Sequence, residues 1–408
     1  MLADHPLSTS GVGTQSRYLI SGLLETQKYS FRVFGGAIKH ENYDTIAVNP
    51  DFIVKPVDGF GNKDMLRYAI ASEKPDVLLL FTDPRFFIWV WEMEEEIHQI
   101  CPIAYWHLWD QCEFPPIYNK VLFESTDLIN CINRPTHDFL KGLFPDKVNW
   151  APHALPKEVF HPLPAADSLN FKRALLKGKP DDEFVVTWIS RNARRKMPAD
   201  LLWSWKMFLD QLETKHGHRK ATLIMHTDPL DQEGPNLYQV VEVLKIEKNV
   251  SFSKERAEFN DMVKLYNISD TVIARSCAEG FGLSLLEAMY CGKPIIALKT
   301  GGMTRQVVDY RDGSENGIAL PVELQSMVGS QLVPYILEDH VKNETVAAAL
   351  MQMYEMGPEK RAELGQKAMK YAHEEFSLQT LAKTWDESLE NCINTWKATY
   401  KPWESTTL

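Results

Sequence analysis

The sequence predicts an α/β protein made of two doubly wound parallel sheets, and three observations predict it. Short, continuous apolar runs alternate with longer amphipathic stretches, and this alternation comes in two series. A proline-punctuated stretch, residues 150–166, stands between the series. The length, 408 residues, exceeds what one hydrophobic core organises and suits two domains.

Taken in chain order, only residues 1–4 precede the first glycine-rich turn. The first strand is therefore expected to be very short or to lack residues at its start. Residues 76–81 (DVLLLF), 102–105 and 127–132 read as strands buried on both faces, because their apolar residues are continuous rather than alternating. Between them, 86–100 and 115–124 have the length and pattern of helices. In the first of these, the aromatic run 86–91 reads as the apolar side of a covering helix, with 92–96 in solvent. The second series places strands at 184–189, 222–226, 250–252, 271–274 and 294–298, with helices at 199–215 and 283–291. Four prolines within 150–166 suit a stiff interdomain connection. A long helix, 378–397, closes the chain, and the segment 323–340 has no assigned role.

Composition narrows the class. Apolar residues make up 44% and charged residues 24%, which excludes wholesale disorder, a disulfide-stapled miniprotein and a fibrous repeat. The net charge is −11, with −7 in residues 1–165 and −4 in the remainder. An extended nucleic-acid track is thus disfavoured. Six cysteines occur without a C-x-x-C pair or a His/Cys cluster, so no metal site is expected. They read as small core residues of a reducing compartment. No run of 18 uncharged apolar residues is present, so no integral membrane segment is expected, and residues 1–6 lack a signal-peptide layout. A cytoplasmic protein is expected, with a peripheral membrane association left open by the aromatic run.

Three constellations could carry chemistry. Ser8 to Thr14, with Gly11 and Gly13, lead into an amphipathic helix whose N-terminal amides could meet a phosphate, or could simply be capped by Ser and Thr. Ser190 to Lys196 follow the first strand of the second series and hold four cations, Arg191, Arg194, Arg195 and Lys196. Ligands of open α/β sheets sit beyond the carboxyl ends of strands, so this cluster could clamp a diphosphate. Arg194 and Arg195 are equally readable as surface residues. The third stretch runs from Ser276 to Met289. Gly280 and Gly282 flank Phe281 and open a helix, with Glu279 in the loop and Glu287 in the second helical turn.

The spacing Glu279-x7-Glu287, followed by Ala288-Met289 and Cys291-Gly292-Lys293-Pro294, resembles the signature of glycosyltransferase family 4. Arg191 with Lys196 five residues on, Thr300-Gly301-Gly302 and the 312–317 loop fall in the family's order. The resemblance implies the GT-B fold: two Rossmann-like domains facing a cleft, with the C-terminal helix crossing back to the N-terminal domain. On that pattern residues 1–160 with about 380–408 form the acceptor-side domain, and 161–379 the nucleotide-sugar domain. It implies a retaining hexosyltransferase that takes a nucleoside-diphosphate sugar as substrate and needs neither cofactor nor metal ion.

The resemblance also implies roles. Arg191 and Lys196 match the pair that neutralises the donor diphosphate, and Glu287 the carboxylate that holds the ribose. Glu279, with the amides of Phe281, Gly282 and Leu283 and the neighbouring Gly280 and Ser284, matches the grip on the transferred sugar and distal phosphate. Gly11, Gly13 and Thr14 would close on the diphosphate, His107 matches the active-site histidine, and Asp110 lies on the acceptor side. Arg305-Gln306 stand where relatives commonly have Glu, which puts contacts from that turn in doubt. The acceptor stays open among glycan, lipid, protein, small molecule and modified base. Two rival classes are a nucleotide-sugar epimerase of the same fold and a non-catalytic nucleotide-sugar-binding subunit.

Overall fold

In a computed structural model of the protein, residues 1–110, 117–253, 259–401 and 403 are described. The chain divides into two compact units. The first comprises Met1–Ala154, Gly329–Ile336 and Phe376–Leu408, and the second Leu155–Val328 and Leu337–Glu375.

The first unit is built on eight strands: β1 (Leu2–Asp4), β2 (Phe31–Gly36), β3 (Ile46–Asn49), β4 (Phe52–Pro56), β5 (Leu78–Phe81), β6 (Ile103–His107), β7 (Leu128–Cys131) and β8 (Val148–Trp150). Their order across the sheet is β3-β4-β2-β1-β5-β6-β7-β8, parallel except for β3 against β4. The first strand is indeed short, three residues, all buried. Strands β5, β6 and β7 are buried throughout, as parallel strands covered on both faces must be.

The segment 86–100 departs from its expected single helix. It forms a 3-10 turn, Pro84–Phe87, then two short helices, Ile88–Trp91 and Glu94–His98. Its successive short turns bury Phe87, Val90, Trp91, Met93 and Ile97. Phe86 and Ile88 remain exposed. Part of the expected helix 115–124 lies outside the described residues; the rest is a 3-10 turn, Ile117–Asn119, and a short helix, Lys120–Ser125.

The closing helix, Leu378–Thr399, belongs to this first unit and packs on the helix Gly11–Leu24. Leu381, Trp385, Leu389 and Cys392 make its buried stripe. Trp385 meets Trp106 of β6 edge-on at 5.7 Å, and Asn130 of β7 donates to Ser388 Oγ at 3.1 Å. Gln15, fully buried, grips the backbone of Ala154 from both sides, donating to its carbonyl at 3.0 Å and accepting from its N–H at 3.2 Å.

The second unit holds a six-stranded parallel sheet: β9 (Phe184–Ile189), β10 (Ala221–His226), β11 (Val250–Ser253), β12 (Thr271–Ala274), β13 (Ile295–Leu298) and β14 (Gly317–Leu320), in the order β11-β10-β9-β12-β13-β14. The segment 323–340 contributes a separate two-stranded ribbon, β15 (Leu324–Val328) and β16 (Ile336–His340). A helix absent from the sequence reading, Ala165–Leu175, starts inside the proline-rich stretch behind Pro164. It buries no residue fully, so it has no apolar stripe to be recognised by.

Winding proceeds outward from β9 through β10 to β11, then returns to β12 and continues the other way. The crevice at the carboxyl ends of β9 and β12 is therefore a topological switch point, where open α/β sheets bind ligands. In the first unit the corresponding point lies between β1 and β5. There Asp4 accepts from Thr82 Oγ1 at 3.2 Å.

Candidate active site

The residues after β9 and β12 meet at the switch point of the second unit. Past Ile189 the chain runs through Ser190–Ala193 into a 3-10 turn, Arg194–Lys196, and Pro198 then opens the helix Pro198–His216. The buried Asn192 side chain ties this loop to the one after β10, donating to Pro229 O at 3.3 Å and Pro235 O at 2.8 Å.

Each of the four cations has a directed partner. Arg191 forks onto Asp231 at 2.7 and 3.0 Å. Arg194 forks onto Glu338. Arg195 Nη1 donates to Ala278 O at 2.8 Å and stands 3.6 Å from Glu279. Lys196 Nζ is paired with Glu279. Arg194 and Arg195, readable from sequence as surface residues, thus brace loops of the site. Arg191, expected to face a diphosphate, is engaged by Asp231 in this state.

Glu279 is the centre of the arrangement. Burial pushes its carboxyl up, but Lys196 and Arg195 beside it hold it below the ordinary glutamate range. Past it the backbone must turn sharply, and Gly282 does so at φ +90°. Gly282 is also the cap of the helix Leu283–Tyr290, which no side chain caps. The helix thus begins just past β12 with no side-chain cap on its first-turn N–H groups, and helix N-termini attract anions.

The turn at 300–306 closes the loop from behind. Gly302 N donates to Glu279 O at 3.1 Å, and a Cβ on Gly302 would stand 2.5 Å from Gly280 O and from Phe281 Cα. Gln306, buried, donates to Phe281 O at 2.6 Å, while Arg305 turns away to Glu375 at 3.0 Å. The sequence departure at 305–306 therefore still contributes to the site, through the Gln306 amide.

Glu287 lies in the second turn of the same helix. Tyr266, fully buried on the helix Phe259–Ile268, donates its hydroxyl to Glu287 Oε2. Burial outweighs that hydrogen bond and pushes the Glu287 carboxyl up to about 7. Tyr266, Asn192, Asp231 and Glu338 were not singled out by sequence, and Gln306 was marked there only as a departure from the family pattern. Tyr266 reads there as an ordinary apolar position of an amphipathic helix, and no local pattern marks it.

The remaining expected residues sit in the first unit. Gly11, Gly13 and Thr14 lie within the first turn of the helix Gly11–Leu24 rather than in a free loop. Ser10 caps that helix, accepting from Gly13 N at 2.9 Å and donating to Asp4 at 2.7 Å. A Cβ on Gly13 would stand 2.5 Å from His5 O, so this glycine is required for close approach. His107 is the last residue of β6, 1% exposed, and neither ring nitrogen has a hydrogen-bond partner among the described residues. Burial drives its pKa down to about 3, so the ring is neutral at physiological pH. Asp110 acts on the Arg85 guanidinium as a lesser partner behind Asp83. Among the described residues no group of three or more His, Cys, Asp or Glu could hold a metal ion, and no helix is long and apolar enough to cross a membrane.

Comparison with known proteins gives three concordant findings. Residues 176–371 match the family described as Glycosyl transferases group 1. A D-inositol 3-phosphate glycosyltransferase of Stackebrandtia nassauensis is 33% identical over 172 residues, covering 41% of this chain and 37% of that protein. The chain spans less than half the length of this relative and of its counterpart in Acidothermus cellulolyticus, of which it covers 46%. Among solved structures, sucrose-phosphate synthase from Thermosynechococcus elongatus superposes with a TM-score of 0.70 at 17% identity over 94% of each chain. HepE of Anabaena, in complex with UDP and glucose, gives 0.67 at 18% identity, covering 94% of this chain and 97% of that one.

Proposed function

We propose, from the match of residues 176–371 to the group 1 glycosyl transferases and the likeness of the fold to solved GT-B structures, that the chain moves a hexose from a nucleoside-diphosphate sugar to an acceptor hydroxyl, with retention and without a metal ion. The observation that carries the proposal is the pairing of Lys196 with Glu279 at the mouth of the helix Leu283–Tyr290, with Glu287 one turn deeper. A cation, uncapped amides and two carboxylates at separate levels match the successive parts of a sugar nucleotide.

In this reading Glu287 accepts from the ribose hydroxyls, and Lys196 with the helix amides takes the diphosphate. Arg191 joins them on leaving Asp231. The anomeric carbon–oxygen bond breaks toward an oxocarbenium-like state, and negative charge develops on the departing phosphate where those donors already point. The acceptor oxygen bonds to the same face, and its proton passes to the departing phosphate. No enzyme nucleophile and no cofactor is required. Glu279 holds hydroxyls of the moving sugar, and His107, a neutral ring with one donor and one acceptor nitrogen, is proposed to contact sugar or acceptor on the resemblance alone.

HepE is described in complex with UDP and glucose, so UDP-glucose is the first donor to try. The test is a thermal-shift panel of nucleoside diphosphates and their sugars with EDTA present. Nucleotide release and the anomeric configuration of the product are then followed by NMR with a set of polyol acceptors. Stabilisation by one nucleotide and an axial-to-axial outcome are expected. An epimerised donor without acceptor would establish the epimerase, and binding without any turnover the non-catalytic subunit.

A further inference from the structure

The ribbon of β15 and β16 belongs to neither large sheet, yet its second strand reaches the site. Glu338 of β16 is 4% exposed. Its carboxylate takes two N–H groups of Arg194, one at 2.9 Å. The Cys277 side chain lies beside the same carboxylate. One residue further on, Asp339 N donates to Cys277 O at 2.7 Å, and Cys277 N in turn donates to Arg195 O at 2.8 Å. The Asp339 side chain is held from within the ribbon by Gln325 Nε2 at 2.9 Å. Three segments, 190–196, 275–279 and 336–340, are therefore tied at Arg194 and Cys277.

A buried carboxylate is expensive unless it is paired; among the described residues the hydrogen bonds to Glu338 come from Arg194, while the N–H of the next residue, Asp339, is given to Cys277 O. Strand β16 is thus held to both loops, to one through Glu338 and to the other through the Asp339 N–H. Those loops carry Lys196 and Glu279.

We infer that β16 is a positioning element of the site: Glu338 fixes Arg194 and the Asp339 N–H fixes Cys277, so that the loop carrying Lys196 and the loop carrying Glu279 keep one mutual register. The inference rests on the reading of these loops as the donor site. Arg194 is then a positioning residue, and its fork is spent on protein rather than on ligand. A loop pair held in register before ligand arrives loses less freedom on binding.

The test uses the full chain, with Glu338→Gln, Arg194→Ala and the double variant, and two measurements. Amide hydrogen exchange of residues 190–197 and 275–280 is measured without ligand, and UDP affinity by calorimetry. The expected result is exchange about tenfold faster in both loops, and UDP binding about five- to twentyfold weaker. The double variant should be no worse than either single one. If Glu338→Gln does not fold, Arg194→Ala, whose side chain is largely exposed, carries the same test. Unchanged exchange, or faster exchange with unchanged UDP affinity, overturns the inference while leaving the donor reading intact. Tighter UDP binding in Glu338→Gln overturns it too, because a released Arg194 would then be gripping the phosphates itself. Failure of the wild-type protein to bind any nucleoside diphosphate removes the donor reading, and the inference falls with it.

Discussion

Glu279 and Glu287 differ in what surrounds them, and the difference predicts opposite behaviour. Glu279 is held ionised by Lys196 and Arg195 against its burial, whereas Glu287 has, among the described residues, only the Tyr266 hydroxyl and titrates near pH 7. A ribose diol donates to a carboxylate better than to a carboxylic acid, so nucleotide-sugar binding should tighten as Glu287 ionises. UDP-glucose affinity is expected to be about three- to tenfold weaker at about pH 6 than at about pH 8. A nucleotide sugar is the right probe, since its diphosphate does not titrate there. Tyr266→Phe removes the bond that favours the carboxylate and should move the midpoint upward; a pH-independent affinity in wild type would show that Glu287 is not the ribose ligand. Lys196→Ala leaves Glu279 with Arg195 at 3.6 Å as its nearest cation. It should weaken nucleoside diphosphate binding by about ten- to a hundredfold, while Arg191→Ala acts less because Asp231 already occupies that fork. Equal losses at both positions, read by calorimetry, would contradict this ranking.

Individual elements were legible where burial was complete on both faces. β9, with every residue apolar or Thr, and β12 lie at the expected positions, and Glu279-x7-Glu287 announced the loop-to-helix turn between β12 and β13. Elements lacking such patterns escaped: β15 is exposed or half-buried throughout, β16 buries the acidic Glu338 and Asp339, and the helix Ala165–Leu175 has no fully buried residue. Supporting side chains escaped for a different reason. Gln306 and Asn192 act by bonding backbone carbonyls distant in sequence, and such pairing leaves no local spacing to read. The turn itself offers a test. Gly282 stands at φ +90°, so Gly282→Ala should destabilise the second unit by about 1–2 kcal/mol through backbone strain. Gly302→Ala should do worse for function than for stability, because its Cβ meets the backbone of Gly280 and Phe281. Chemical denaturation and nucleotide titration of the two variants side by side separate these effects; Gly302→Ala with wild-type affinity would refute the second.

At the scale of the whole molecule, acid should be destabilising. His107 and His153 are both held near about 3 by burial, far below the ordinary 6.5. The unfolded chain gains these protons first as pH falls, so the stability they protect is complete above about pH 6.5 and is lost progressively below it. Urea midpoints measured between about pH 7.5 and about pH 5 should therefore fall, and replacing His153 by Gln should flatten part of that fall. A steeper fall in the variant would place the effect elsewhere. Molecule-wide, too, the first unit is discontinuous: its sheet is laid down within Met1–Ala154, but Trp106 waits for Trp385 and Asn130 for Ser388. During synthesis on the ribosome, the strands of the first unit emerge long before the helix that seals one of their faces. The second unit can condense in the interval. Released fragments ending at about residue 376 should thus carry a folded second unit and a first one that still recruits chaperones, so that the part made earliest matures latest.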